Sequence, residues 1–157
     1  MAKLSSKTAA TVLDATDDMP INQDTGSTPV SKRSALSLLR TFLAPIRAIT
    51  FVFSLPGDGS MSPPVSIPVS GTIIGWSLVT ENDTDDVVLD IWKDTTVPDA
   101  SDTIVASAPP TGSGVVNSTT LTGWTTSVAA NDVFRAEVTT ASDASSVTLV
   151  LKIRESY

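Results

Sequence analysis

From Ile49 to the C-terminus, hydrophobic and polar residues alternate with a period of two, in short runs separated by turn residues. This alternation is typical of strands that have one face in a core and the other in solvent. The predicted strands are 49–55, 64–70, 72–80, 86–93, 102–107, 115–122, 124–129, 132–140 and 146–154. Many short strands at regular spacing predict an all-β protein, and we expect an antiparallel sandwich of jelly-roll type.

The alternation also predicts which side chains form the core. The inward-facing sets are Phe51, Phe53 and Leu55; Ile74, Trp76 and Leu78; Val87, Leu89 and Ile91; Phe134, Ala136 and Val138; and Val147, Leu149, Leu151 and Ile153. By the same parity, Trp92 lies opposite Ile91 and points outward. An outward indole suits a subunit contact or the stacking of a sugar ring, and we favour the subunit contact.

Two Gly-Trp pairs, Gly75-Trp76 and Gly123-Trp124, each precede a turn and an alternating strand. Glycine removes side-chain bulk beside the indole, so each pair predicts a β-bulge or a place where the indole lies over backbone. We interpret the two phrases as corresponding β-hairpins, one in each sheet. The structural residues of this interpretation are the two glycines, the two tryptophans and Phe134.

Residues 1–48 follow a different pattern and form a separate predicted segment from the sandwich of residues 49–157. Residues 1–29 predict an extended arm, and residues 30–43 predict one short helix that begins near Ser31 and ends before Pro45. Such a helix is not stable alone, so we expect its apolar face to bind another part of an assembly. The predicted docking residues are Lys32, Arg33, Leu36, Leu39, Arg40 and Leu43.

Composition and charge exclude several classes of function. The chain has no His and no Cys, which excludes a Ser-His-Asp triad, His-ligated metals and thiolate metal sites. Six basic and four acidic residues give residues 1–48 a charge of +2, so the remainder carries −9 of the net −7. We expect no nucleic-acid partner for so acidic a surface. No apolar run approaches the about 18 residues of a membrane span, no secretory signal is visible, and we expect no cofactor.

Acidic residues offer two further hypotheses. Asp83, Asp85 and Asp86 have the oxygen ligands that calcium prefers, but their spacing is not that of an EF-hand, and a solvated hairpin tip is favoured. Asp90 and Glu137 point away from the core and are the candidates for a pair of glycosidase carboxylates. Nothing in the sequence brings these two together, and charge pairs with Lys93 or Arg135 are favoured.

Five phrases between residues 71 and 153 resemble the β-sandwich module of structural proteins of tailed bacteriophages, which include tail fibres and minor structural proteins. They are the first Gly-Trp strand, DIWKD, LTGW, AANDVFRAEV and the terminal VTLVLKI. The N-terminal arm and helix resemble the adaptor segment of phage appendages. The resemblance implies a non-enzymatic virion protein that forms a homotrimer and docks on baseplate, tail or capsid proteins through residues 1–48.

The resemblance leaves three functions open. The first is a tail-fibre-type appendage that binds the host surface, including its glycans. The second is a trimeric capsid decoration protein, favoured by the absence of a shaft between Leu43 and Ile49. The third is a glycan-acting enzyme that uses Asp90 or Glu137.

Overall fold

The computed structural model describes residues 18–23, 30–35, 43–84, 86–141 and 144–156. The chain divides into two units, Met1–Ala44 and Pro45–Tyr157. In the first unit, strands β1 (Asp18–Gln23) and β2 (Val30–Ala35) pair in antiparallel orientation. The pairing places Asp18 opposite Ala35 and Gln23 opposite Val30.

The sequence predicted a helix from residue 30, and this prediction is wrong for residues 30–35, which form strand β2. The apolar face of the predicted helix begins only at Leu36, so these residues contribute nothing to it. Val and Ser are also weak helix formers, and pairing with β1 gives the backbone of β2 hydrogen-bonding partners across the hairpin. The rest of the predicted helix, residues 36–42, lies outside the described residues.

The described residues of the second unit form ten strands. They are β3 (Ile46–Ser54), β4 (Ser60–Met61), β5 (Val65–Ser66), β6 (Gly71–Thr80), β7 (Val87–Asp94), β8 (Thr111–Gly112), β9 (Val115–Ser118), β10 (Ser127–Val128), β11 (Val133–Ala141) and β12 (Ser146–Glu155). One turn of 3-10 helix, Ala100–Asp102, follows β7. The strand predicted at 102–107 is therefore wrong, and only a single bridge from Thr103 to Trp92 is present there.

The strand order identifies the topology. In sheet 1, β3, β12 and β6 lie side by side, and both β9 and β10 pair with the other side of β6. In sheet 2, both β4 and β5 pair with one side of β11, which is followed by β7 and β8. With β4/β5 and β9/β10 each counted as one strand, this unit has eight strands in chain order. The first (β3) pairs with the eighth (β12), and the second (β4/β5) pairs with the seventh (β11). The third (β6) pairs with the sixth (β9/β10), and the fourth (β7) pairs with the fifth (β8). This is the pattern of a jelly roll, so the predicted all-β fold is confirmed.

The core lies between the two sheets, and the predicted inward sets of β7, β11 and β12 are confirmed. Every member of these three sets is 0% exposed: Val87, Leu89, Ile91, Phe134, Ala136, Val138, Val147, Leu149, Leu151 and Ile153. Phe51, Phe53, Trp76 and Leu78 are also buried. β7, β11 and β12 supply most of the fully buried side chains, because each pairs with strands on both sides and keeps one face against the opposite sheet.

Two predicted core residues are not in the core. Leu55 follows the end of β3, has a φ of +48° and is 80% exposed. Ile74 is half-buried because the β6–β12 register shifts there: Gly75 pairs with Lys152, whereas Ile73 pairs with Ile153. The extra residue is a β-bulge, which moves Ile73 into the core in place of Ile74 and confirms the bulge predicted at Gly75.

Candidate functional site

Trp92 lies on the predicted side of β7, but the prediction that its indole is exposed is wrong. Its partner across the sheet is Arg135, on the side opposite the core pair Ile91 and Ala136. The indole is nevertheless only 2% exposed. Its Nε1 donates to Asp90 Oδ2 at 2.8 Å, and the bridge to Thr103 brings the following segment against it. This ring is therefore a structural element of sheet 2 and offers no free face to a sugar or a subunit.

The structure brings Asp90 and Glu137 together, which the sequence did not predict. They are direct cross-strand partners on the outer face of sheet 2. Asp90 accepts hydrogen bonds from Ile91 N at 2.7 Å, Trp92 Nε1 at 2.8 Å and Thr103 Oγ1 at 2.5 Å. Its carboxylate is thus committed to holding β7 and the following segment in place.

Neither favoured charge pair for these two carboxylates is formed. Lys93 binds Asp132, with Nζ 3.1 Å from Oδ2, and it also donates to the carbonyl oxygen of Ser127 at 2.8 Å. Arg135 Nε donates to the carbonyl oxygen of Ser62 at 3.1 Å. Lys93 and Arg135 therefore bind other parts of the sandwich and leave the Asp90–Glu137 pair without a basic partner among the described residues.

A shallow depression of about 210 Å³ adjoins Asp90 on this face, with Thr103, Thr139 and Pro109 in its wall. Both threonine hydroxyls donate inward, Thr103 to Asp90 Oδ1 and Thr139 to the carbonyl oxygen of Val88. The Asp90 carboxylate and the two threonine oxygens can accept further hydrogen bonds. The arrangement suits a donor-bearing group and provides no activated nucleophile.

The two Gly-Trp pairs occupy different structures, so their interpretation as corresponding hairpins is wrong. Gly75-Trp76 lies within β6, whereas Gly123-Trp124 lies in a turn before β10, where Gly123 has a φ of +77°. Both indoles are buried. Trp124 Nε1 donates to the carbonyl oxygen of Ala108 at 2.7 Å, and Trp76 Nε1 is the one buried side-chain nitrogen or oxygen without a partner among the described residues.

Asp94, the last residue of β7, and Asp99, in the loop that follows, have lowered pKa values because they accept local hydrogen bonds. The hydroxyl of Thr96 is the main cause for Asp94, and the hydroxyl of Ser101 is the main cause for Asp99. Asp99 caps the 3-10 turn: its Oδ1 accepts from Ser101 N at 2.8 Å, and its own N donates to Asp102 Oδ2 at 3.0 Å. These carboxylates therefore have structural partners.

The acidic connection between β6 and β7 is exposed at residues 81–84 and at Asp86, and Asp85 lies outside the described residues. Across the described ranges, no group of three acidic side chains is placed to hold a metal ion. Within the same residues, no helix is long and apolar enough to cross a bilayer.

The predicted docking residues fall mostly outside what the structure describes. Lys32 and Arg33 lie in β2, opposite Ile21 and Pro20 of β1. Leu36, Leu39 and Arg40 are outside the described residues. Leu43 is 65% exposed.

Sequence reasoning missed the outer face of sheet 1, formed by the outward-pointing residues of β3, β12, β6 and β9. Its centre is a cross-strand row, here called the valine row: Val52, Thr148, Val79 and Val115. The three valines are 60%, 40% and 71% exposed. The alternation predicted that Val52 and Val79 point outward, but only the register aligns them with Val115.

Comparison of the chain with protein-family models, with curated proteins and with solved structures found no match.

Proposed function

We propose that this protein is a non-enzymatic structural component of a tailed-bacteriophage virion, a homotrimeric appendage that docks on other virion proteins through residues 1–48. Its acidic sandwich then faces outward and contacts the host surface. In this function the chain acts by assembly: apolar surface is buried between copies and against the particle, at about 25 cal/mol per Å².

The observation that carries the proposal is where the phage-like phrases fall in the fold. The first Gly-Trp phrase forms β6, DIWKD lies in β7, AANDVFRAEV leads into β11, and VTLVLKI lies in β12. Of these strands, β7, β11 and β12 have the fully buried sets, and β6 forms a long ladder with β12. The fifth phrase, LTGW, lies in a turn before β10. The resemblance therefore rests on the framework of the jelly roll, as expected for a structural protein.

The three hydrogen bonds that Asp90 accepts support a non-enzymatic role. A carboxylate that holds three donors is suited to structure, and its partner Glu137 lies with it on an open sheet face. We therefore place the glycan-acting enzyme behind the structural functions.

One observation favours a second candidate, a trimeric capsid decoration protein. Only ten residues, 36–45, separate the end of β2 from the start of β3. A stretch of that length leaves no room for a fibre shaft between the N-terminal hairpin and the sandwich. A short knob seated directly on a capsid needs no such shaft.

Immunogold labelling of intact phage particles with an antibody against residues 49–157 tests the proposal. Gold at the tail tip or baseplate is the expected result. Gold spread over the head would instead establish a decoration protein. Particles without gold, from a lysate in which the antibody detects the chain, would overturn the virion proposal.

A further inference from the structure

Exposed apolar side chains concentrate on the outer face of sheet 1. Of the eight large hydrophobic residues that the described part of the chain exposes, four lie on this face: Ile46, Val52, Val79 and Val115. The valine row joins three of them across neighbouring strands. A contiguous apolar patch on a protein this acidic marks a surface that another protein covers.

Strand β3 adds a free edge to this face. It pairs with β12 on one side only, and no described residue pairs with its other side. The nine residues of β3 contain no proline, and the one charged side chain, Arg47, forms an ion pair with Glu155. Folded proteins ordinarily cover or charge an edge of this length and composition.

A groove of about 470 Å³ runs along the same edge, between β3 and residues 65–69. Its floor and wall are mainly apolar, with Ile49, Val65, Ile67 and Val69 among the lining residues. Apolar grooves bind apolar side chains, and the valine row of a second copy supplies them.

We propose that copies of this chain associate edge to face, with the β3 edge and its groove in one copy seated on the valine row of the next. This inference rests on the homotrimer of the proposed function. Contact surfaces on opposite faces of a sandwich would build an open stack, whereas an edge and the adjacent face are inclined to each other and can close a ring. The chain therefore has the pair of surfaces that a closed trimer requires.

Charge does not oppose a second copy as the occupant, because Arg47 of the groove is already paired with Glu155. Neither the groove lining nor the outer face of sheet 1 contains an acidic residue within the described ranges. The face instead carries Lys152 and Arg154, while the chain from residue 49 onward has a net charge of −9. Two acidic copies can therefore associate through these surfaces without placing carboxylates opposite each other.

The available area is also sufficient. Four strands at about 4.8 Å spacing and nine residues at about 3.3 Å give a face of roughly 600 Å². In an edge-to-face contact, one copy contributes the face and the next copy contributes the edge with its groove. One interface therefore buries up to about 600 Å² per partner, or about 1,200 Å² in total, which is the lower end of stable protein interfaces.

The test measures the molar mass of the full chain by size exclusion with light scattering. Val115→Glu damages the face, Ser66→Glu damages the groove, and Val97→Glu is the matched control, because Val97 is 64% exposed and lies on neither surface. All three positions are exposed, so circular dichroism should show that each variant folds. We expect the first two variants to lower the mass about threefold and the control to leave it unchanged.

A mixture of the two disruptive variants distinguishes edge-to-face association from other modes. One intact edge and one intact face remain in the mixture, so we expect a species of twice the monomer mass. Unchanged mass in both single variants, or no dimer in the mixture, would overturn the inference while leaving the virion proposal to gold labelling. A wild-type chain that stays monomeric at all concentrations would overturn both the inference and the trimer. If the wild-type chain were monomeric and Val115→Glu abolished its binding to host cells, the outer face of sheet 1 would be a receptor-binding site.

Discussion

Replacing Asp90 and Glu137 in turn by alanine tests whether their shared face is a structural or a chemical feature. The two carboxylates lie directly opposite each other on β7 and β11, so they have the same strand setting. They differ in their hydrogen bonds, because Asp90 accepts three and Glu137 accepts none among the described residues. A structural role predicts opposite effects on stability.

The magnitude for Asp90→Ala follows from its donors. Trp92 is 2% exposed, so water cannot replace the carboxylate at its Nε1, and an orphaned buried donor costs about 1–3 kcal/mol. Thr103 is exposed and can bind water instead. With the charge-assisted character of these bonds, we expect the free energy of unfolding to fall by about 2–3 kcal/mol. Glu137→Ala removes a like-charge pair and should change stability by less than about 1 kcal/mol, in the stabilising direction.

Urea unfolding followed by far-UV circular dichroism measures both variants, and thermal unfolding gives a second readout. At about 4 °C per kcal/mol, Asp90→Ala should lower Tm by roughly 10 °C while Glu137→Ala leaves it nearly unchanged. Equal losses in the two variants would refute the reasoning. Loss of a glycan-cleaving activity in both variants, with stability intact, would favour the enzyme.

Three further substitutions test local features of the sandwich by thermal unfolding. Gly75→Ala should cost about 1–3 kcal/mol, because a Cβ there would lie 2.6 Å from the carbonyl oxygen of Ser118; a neutral result would show that the bulge relaxes. Ser62→Ala should cost about 1–3 kcal/mol because its buried Oγ accepts a backbone N–H of β11 at 2.9 Å, whereas exposed Ser66→Ala should cost little. The pKa of Asp99 is lowered, chiefly by the hydroxyl of Ser101, so its stabilising contribution is complete above the unfolded pKa of about 3.9 and is lost as pH falls through the folded value. Asp99→Asn should therefore flatten the stability curve in that acidic window, and an unchanged curve would contradict this.

The period of two predicted the core correctly where strands are long and regularly paired. The sets of β7, β11 and β12 are fully buried because each strand keeps one face against the opposite sheet along its whole length. In such strands, every second residue is buried, so the alternation identifies the core residues directly. The jelly-roll order could not follow from alternation alone, since it depends on which distant strands pair.

The failures have local causes that alternation does not encode. The bulge at Ile74 reverses the orientation of Ile73, which points into the core instead of outward. The backbone of Leu55 has a positive φ, which turns this residue away from the sheet. Trp92 has the predicted parity, but the segment around Thr103 covers it. Burial by a following loop leaves no periodic signal in the strand that it covers.

The candidate surface was missed for a related reason. Valines in strands are ordinarily assigned to the core, and Val52 and Val79 each adjoin a buried residue in sequence. Only the register shows that they align with Val115 across the sheet and form one patch. Cross-strand register is a property of the folded chain, so the sequence alone could not assemble this row.

The two outer faces of the sandwich differ in a way that bears on assembly. On sheet 2, three of the charged groups bind within the molecule: Lys93 binds Asp132, Arg135 donates to a backbone carbonyl, and Asp90 accepts from Thr103 of the segment after β7. On the outer face of sheet 1, Lys152 and Arg154 make no ion pair among the described residues, and the valines of the valine row are exposed. If both outer faces were simply exposed to solvent, both would be expected to be polar, as the face of sheet 2 is. We therefore propose that a partner binds the outer face of sheet 1, and in the proposed edge-to-face association this partner is the β3 edge of another copy.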